Sequence, residues 1–155
     1  MAADDVFDSD VDLASPSQRR ELASHPVLVL SAISAGGVAG ALARYGIALA
    51  VPHSATGFPA STLVINIVGS LLLGVLMVLL GHVSDAHPLV RPFFGVGILG
   101  GFTTFSTYTV DAQQLMVHHE AGLAMLYLLS TLILGLAAVT AGAVLARSAV
   151  RGLGR

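Results

Sequence analysis

Residues Gly100 to Tyr108 read Gly-Gly-Phe-Thr-Thr-Phe-Ser-Thr-Tyr and stand in the middle of an apolar stretch long enough to cross a bilayer. Hydrocarbon offers backbone N–H and C=O groups no partner, so a helix breaks at membrane depth only where protein or a polar cavity lines the break. A glycine pair followed by the hydroxyls of Thr103, Thr104, Ser106 and Thr107 therefore predicts an interrupted helix, and such an interruption points to an ion site.

The rest of the composition agrees with a bilayer as the solvent. Hydrophobic residues make up 55% of the chain and charged residues 10%, a balance unsuited to a soluble domain of this length. There is no cysteine, hence no disulfide framework and no thiolate metal site. Six acidic residues (Asp4, Asp5, Asp8, Asp10, Asp12, Glu21) crowd into the opening stretch. Residues 1–25 read as a disordered acidic tail, because they lack both the apolar content to fold and the basic start of a signal peptide.

Residues 26–148 read as an all-α membrane domain of four transmembrane helices, with a basic tail over 149–155. The first span is Val27 to Val51, apolar apart from Arg44, and at 1.5 Å per residue it exceeds a hydrocarbon core of roughly 30 Å. Residues 52–59 form a turn rich in proline, serine and glycine, and Ala60 to Leu80 recrosses, closed by Gly81. Pro92 suits the first turn of a third helix, which runs toward Gln114 through the mid-membrane break. His118, His119 and Glu120 make the next turn, and Ala121 to about Leu145 is the fourth span. Six of the seven arginines lie on the side of the termini and the two opposite loops carry none, which predicts cytoplasmic termini.

Several polar residues interrupt the spans. Arg44 continues the Gly36-Gly40 stripe; it reads either as an arginine that snorkels to the interface or as a fixed positive charge near a pore mouth. Asn66 and Ser70 share one face of the second span, suited to interhelical hydrogen bonding or to pore lining. Tyr127, Thr131 and Gly135 form a stripe on the fourth helix that fits helix contact and ion track equally, whereas Ser130 and Thr140 are expected to bond back to their own helix. Phe105 and Tyr108, three apart, present aromatic edges, the positive part of the ring quadrupole. The first, second and fourth spans contain no carboxylate, and Asp111 lies about two turns past the break. Donors without carboxylates favour an anion over a cation pathway or a carboxylate proton relay. No nucleophile with a positioned base, phosphate-cradling loop or nucleic-acid face is present, so the chain does not read as an enzyme.

Three segments resemble the Fluc, or CrcB-type, fluoride ion channels: Gly-Ala-Leu-Ala-Arg-Tyr at 40–45, Asn-Ile-Val-Gly-Ser-Leu-Leu-Leu-Gly at 66–74, and the break motif at 100–108. The resemblance spans Val27 to about Ala146. It implies an antiparallel, dual-topology dimer in the cell membrane with two fluoride pores and a structural sodium ion at its centre, held by backbone carbonyls that map to Gly100 and Thr103. It implies a vestibule arginine at Arg44, a pore asparagine at Asn66, pore aromatics at Phe105 and Tyr108, and a hydroxyl track at Tyr127 and Thr131. Ser70, Thr104 and Ser106 complete the expected lining. Two features depart from the family pattern. Tyr108 stands where a second phenylalanine is usual, adding a hydroxyl that could donate to the ion or obstruct it. The arginine bias fixes one orientation, which suits a heterodimer with an inverted paralogue better than a homodimer. The implied function is passive fluoride export; the alternatives are a dual-topology small-molecule exporter and a non-transporting assembly subunit.

Overall fold

The computed structural model describes residues 26–82 and 87–153; the expected disordered tail, residues 1–25, lies outside the described residues. The elements are α1 (Pro26–Ala50), α2 (Ala60–His82), α3 (Arg91–Leu99), α4 (Gly100–Phe102), α5 (Ser106–Val117) and α6 (Ala121–Leu153). No strand occurs among the described residues. Helices α1, α2 and α6 are long and apolar enough to cross a membrane, so this is a multi-pass membrane protein. The third crossing expected from the sequence is built in pieces from α3, α4 and α5. Helix α6 continues to Leu153, beyond the expected end near Leu145, so the basic tail begins as helix.

Helix α3 is wound as a π-helix with Pro92 in its first turn, where the missing N–H has no intrahelical acceptor to lose. It passes into α4 without a change of direction in the backbone angles, since Gly100 is right-handed helical at φ −65, ψ −38. The turn between α5 and α6 closes with Glu120 N–H bonding to the Leu115 carbonyl at 2.8 Å and His119 N–H to the Met116 carbonyl at 3.1 Å. His119 takes φ 64 there, the left-handed position that glycine usually fills in this C-terminal motif.

Packing pairs α1 with α3 and α4, and α2 with α6. Inside a bilayer apolar side chains gain little by leaving lipid, so helices associate where small residues let backbones approach. Gly36 rests on the Phe93 carbonyl and Gly40 on the Ile98 carbonyl. Across the other pair, Gly74 meets the Val139 carbonyl and Gly142 the Leu71 carbonyl. A side chain at any of these positions would collide with backbone, which cannot swing aside.

Gly142→Val should therefore destabilise the protein in detergent by about 2 kcal/mol or more. Gly122→Ala, with open space around its added methyl, should leave thermal unfolding unchanged. Equal melting temperatures for the two variants would contradict this packing.

Candidate functional site

Between α3 and the end of α5, residues 103–105 alone leave the helical path. Thr103 is extended at φ −72, ψ 159, and Phe105 has returned to φ −91, ψ −34. The break falls within the glycine-hydroxyl segment where it is expected, on its hydroxyl part, and the glycine pair itself is helical. Gly101 serves close approach, sitting on the Gly37 backbone, while Gly100 faces open space, and no described glycine has positive φ.

What holds the break is Asn66. In a continuous helix the Thr104 N–H would donate to the Gly100 carbonyl four residues earlier. Here it donates to Asn66 Oδ1 at 2.9 Å, while Asn66 Nδ2 donates to the Thr104 carbonyl at 3.0 Å. The two bonds together fix the orientation of the amide, because a flipped amide would face donor with donor. One turn later on α2, Gly69 makes room for the Thr103 methyl. Thr103 N–H and Oγ1 both donate to the Leu99 carbonyl at 2.9 Å. The Thr104 hydroxyl accepts from Thr107 N–H at 3.1 Å and caps the start of α5, as a hydroxyl does where backbone donors lack helical partners. Among the described residues no buried side-chain nitrogen or oxygen lacks a partner.

The break borders an open groove of about 550 Å³ between α2, α3, α5 and α6. Asn66, Ser70, Thr104, Phe105, Tyr108 and Thr131 line it, as do Gly100 and Thr103. Phe105 is 80% exposed and lies 5.9 Å, centroid to centroid, from Tyr108. The Tyr108 hydroxyl donates to the Leu128 carbonyl at 3.0 Å, so it braces α5 against α6. Thr131 Oγ1 donates to the Tyr127 carbonyl at 2.8 Å, as Ser130 does at 3.1 Å, and Thr140 bonds back to Leu136. No carboxylate lines the groove.

Arg44, Ser106 and Tyr127 are not brought to this groove. Arg44 is on α1, half-buried, one turn beyond the glycine contact at Gly40. Ser106 is exposed, its Oγ 3.3 Å from Thr104 Oγ1. Tyr127 is fully buried, packed edge-on by Phe58 at 5.8 Å and beside Tyr108 at 5.3 Å. Its hydroxyl reaches Asp111 Oδ2 at 3.4 Å, the same oxygen that accepts from Thr62 Oγ1 at 2.7 Å. The sequence assigns Thr62 no role and places Asp111 beyond the break. Their signal was present: Thr62 precedes Asn66 by four, on the face that carries Ser70, and Asp111 follows Tyr108 by three.

The donors at the break also suit one class of cation. Diverting the Thr104 N–H to Asn66 releases the Gly100 carbonyl from its helical bond, and Thr103 is extended beside it. These are neutral backbone oxygens, the ligands hard cations take. No group of three or more His, Cys, Asp or Glu gathers among the described residues.

Residues 31–143 match the family described as CrcB-like protein, Camphor Resistance (CrcB). The chain is 44% identical over 138 residues to the fluoride-specific ion channel FluC 1 of Streptomyces coelicolor, covering 89% of this chain and 88% of the relative. It is 43% identical over 127 residues to FluC 2 of Streptomyces avermitilis, covering 82% and 80%. Against FluC 2 of Thermobifida fusca the identity is 46% over 115 residues, covering 74% and 85%.

Asn66→Leu strands a backbone donor and a backbone acceptor at the break and should cost about 2–4 kcal/mol of unfolding free energy in detergent. Tyr108→Phe removes one bond to a carbonyl and should cost about 1 kcal/mol. The ordering is the check: a Tyr108→Phe loss equal to that of Asn66→Leu would contradict the assigned roles.

Proposed function

Because the chain belongs to the CrcB-like family, whose members are channels and not enzymes, we propose that it is a fluoride-selective channel that exports fluoride by passive electrodiffusion. The observation that carries this reading is a groove at membrane depth lined by an amide, hydroxyls and aromatic edges, without a carboxylate. An anion entering it meets the second N–H of the Asn66 amide, which the Thr104 bonds leave over, and the ring edge of Phe105. Ser70, from α2, adds a hydroxyl donor to the lining, and Thr104 borders the groove with its hydroxyl bonded to Thr107. Thr131 extends the polar path along α6, and Arg44, on α1 outside this groove, is assigned the positive charge of the vestibule. Fluoride enters acidified cells as neutral HF and dissociates inside; the negative membrane potential then drives the anion out. No coupling residue is required.

One chain leaves the groove open and Phe105 uncovered, which supports an antiparallel dimer that closes it. The carbonyls of Gly100 and Thr103 from two such chains would hold sodium as a structural ion that is not transported. Such an ion, when bound, supplies a fixed positive charge beside the anion path. Six of seven arginines on the terminal side fix one orientation, with cytoplasmic termini, so the inverted partner is a paralogue. The relatives in Streptomyces avermitilis include both a FluC 2 and a FluC 3, in keeping with paired chains in one organism.

A fluoride electrode on loaded liposomes tests the function. Assembled protein should release fluoride and retain chloride, Phe105→Ile and Asn66→Asp should abolish release, and Tyr108→Phe should stay within about twofold of the parent, since its hydroxyl is spent on Leu128. Unchanged efflux in both Phe105→Ile and Asn66→Asp would remove the assigned pore.

Expressed alone, the chain should insert with cytoplasmic termini and transport weakly, and co-expression with an oppositely biased paralogue should restore flux. Terminal reporters on both sides of the membrane, with robust flux from the single chain, would establish a homodimer instead.

A further inference from the structure

A second polar cluster lies where the loop between α1 and α2 meets α5 and α6. His53 Nε2 is 3.5 Å from Asp111 Oδ1, and His53 Nδ1 is 3.3 Å from Ser61 Oγ. The loop is anchored, with Phe58 stacked edge-on against Tyr127 and Pro59 fully buried. Beside the pair lies a cavity of about 110 Å³ bordered by His53, Ser54, Asp111 and Gln114, room for a few waters. The Asp111 side chain is 11% exposed and the His53 side chain 26%, so the two side chains meet largely out of water.

Asp111 stands at one end of a continuous contact chain to the groove: its Oδ2 is 3.4 Å from the Tyr127 hydroxyl, the Tyr127 ring is 5.3 Å from Tyr108, and Tyr108 lines the groove. A bare carboxylate at that end repels an approaching anion, and in a partly desolvated site the repulsion is strong. Imidazole changes charge within the physiological pH range. The geometry points to His53 as a positioning residue that sets the charge at this end of the anion path. When protonated it pairs with Asp111, cancels the carboxylate and lets fluoride pass; when neutral it leaves the carboxylate unopposed and slows passage. This inference rests on the fluoride-channel reading. It makes conduction strongest in acid, the condition that loads a cell with HF.

The titratable groups facing His53 are few. Helix α5 brings Asp111, α6 brings Tyr127, and α2 brings only the hydroxyls of Ser61 and Thr62. Gln114, from α5, is neutral. No other charged side chain borders the cavity.

The test is fluoride efflux from liposomes at equal internal and external pH, from 5.5 to 8, corrected for HF leak through protein-free liposomes. The complete channel should slow by about three- to tenfold as the pH rises. His53→Ala should lose that dependence and stay at the slow rate throughout, Asp111→Asn should lose it and stay fast, and His118→Gln, in the turn between α5 and α6 on the same side of the membrane, should keep the parent profile. A His53→Ala channel with the parent profile overturns the inference while the channel reading stands. If no fluoride passes at any pH, the channel reading fails and this proposal fails with it; fluoride flux in which only the pH dependence is absent overturns the proposal alone.

Discussion

The two bonds between the Asn66 amide and the Thr104 backbone are the interaction on which the rest of this structure depends. A transmembrane helix that stops hydrogen-bonding to itself exposes donors and acceptors to hydrocarbon, each at a cost of several kcal/mol. Asn66 meets the backbone donor and acceptor of one residue at once, at 2.9 and 3.0 Å. That single side chain lets the chain leave the helix at residues 103–105, with Thr103 extended, inside a membrane-spanning segment. It also frees the Gly100 carbonyl and turns Phe105 into the open groove. Replacing the amide with an apolar side chain of similar size would remove both functions together.

Helix α2 is the scaffold for this arrangement. Its residues at four-residue spacing act in sequence along one face: Thr62 holds Asp111, Asn66 holds Thr104, and Ser70 lines the groove. Gly69, beside them, admits the Thr103 methyl, and Gly74 lets the α6 backbone close in. Thus a helix with no charged residue positions the break, one wall of the groove and the carboxylate beyond it. The glycine contacts of α1 with α3 do the corresponding work on the far side, holding the π-wound segment that leads into the break.

Much of this was legible from residue order. The helix spans followed from apolar length, the interruption from hydroxyls at membrane depth, and the back-bonding of Ser130 and Thr140 from the habit of helical hydroxyls. The position of the break within its motif was less legible, because glycine signals both backbone freedom and close approach, and here Gly101 serves the second. The stripe of Tyr127, Thr131 and Gly135 fits helix contact and ion track equally; a phenol at four-residue spacing from Thr131 does not reveal that Phe58 covers it. Asp111 was set aside on distance along the chain, yet α5 returns it to Thr62, and His53 reaches it from a loop whose fold depends on that packing. Such meetings are decided by tertiary contact, which a pattern along one helix does not contain.

The break is locked by a side chain and is not a frayed loop, and hydrogen exchange at the Thr104 amide distinguishes the two. In the assembled protein that amide should exchange as slowly as the helical amides of α5, and in Asn66→Ala it should exchange at least about a hundredfold faster, the loss of a bond held by folded structure. A Thr104 amide that exchanges at the rate of an open loop in the parent protein, or one that stays protected without Asn66, would contradict it.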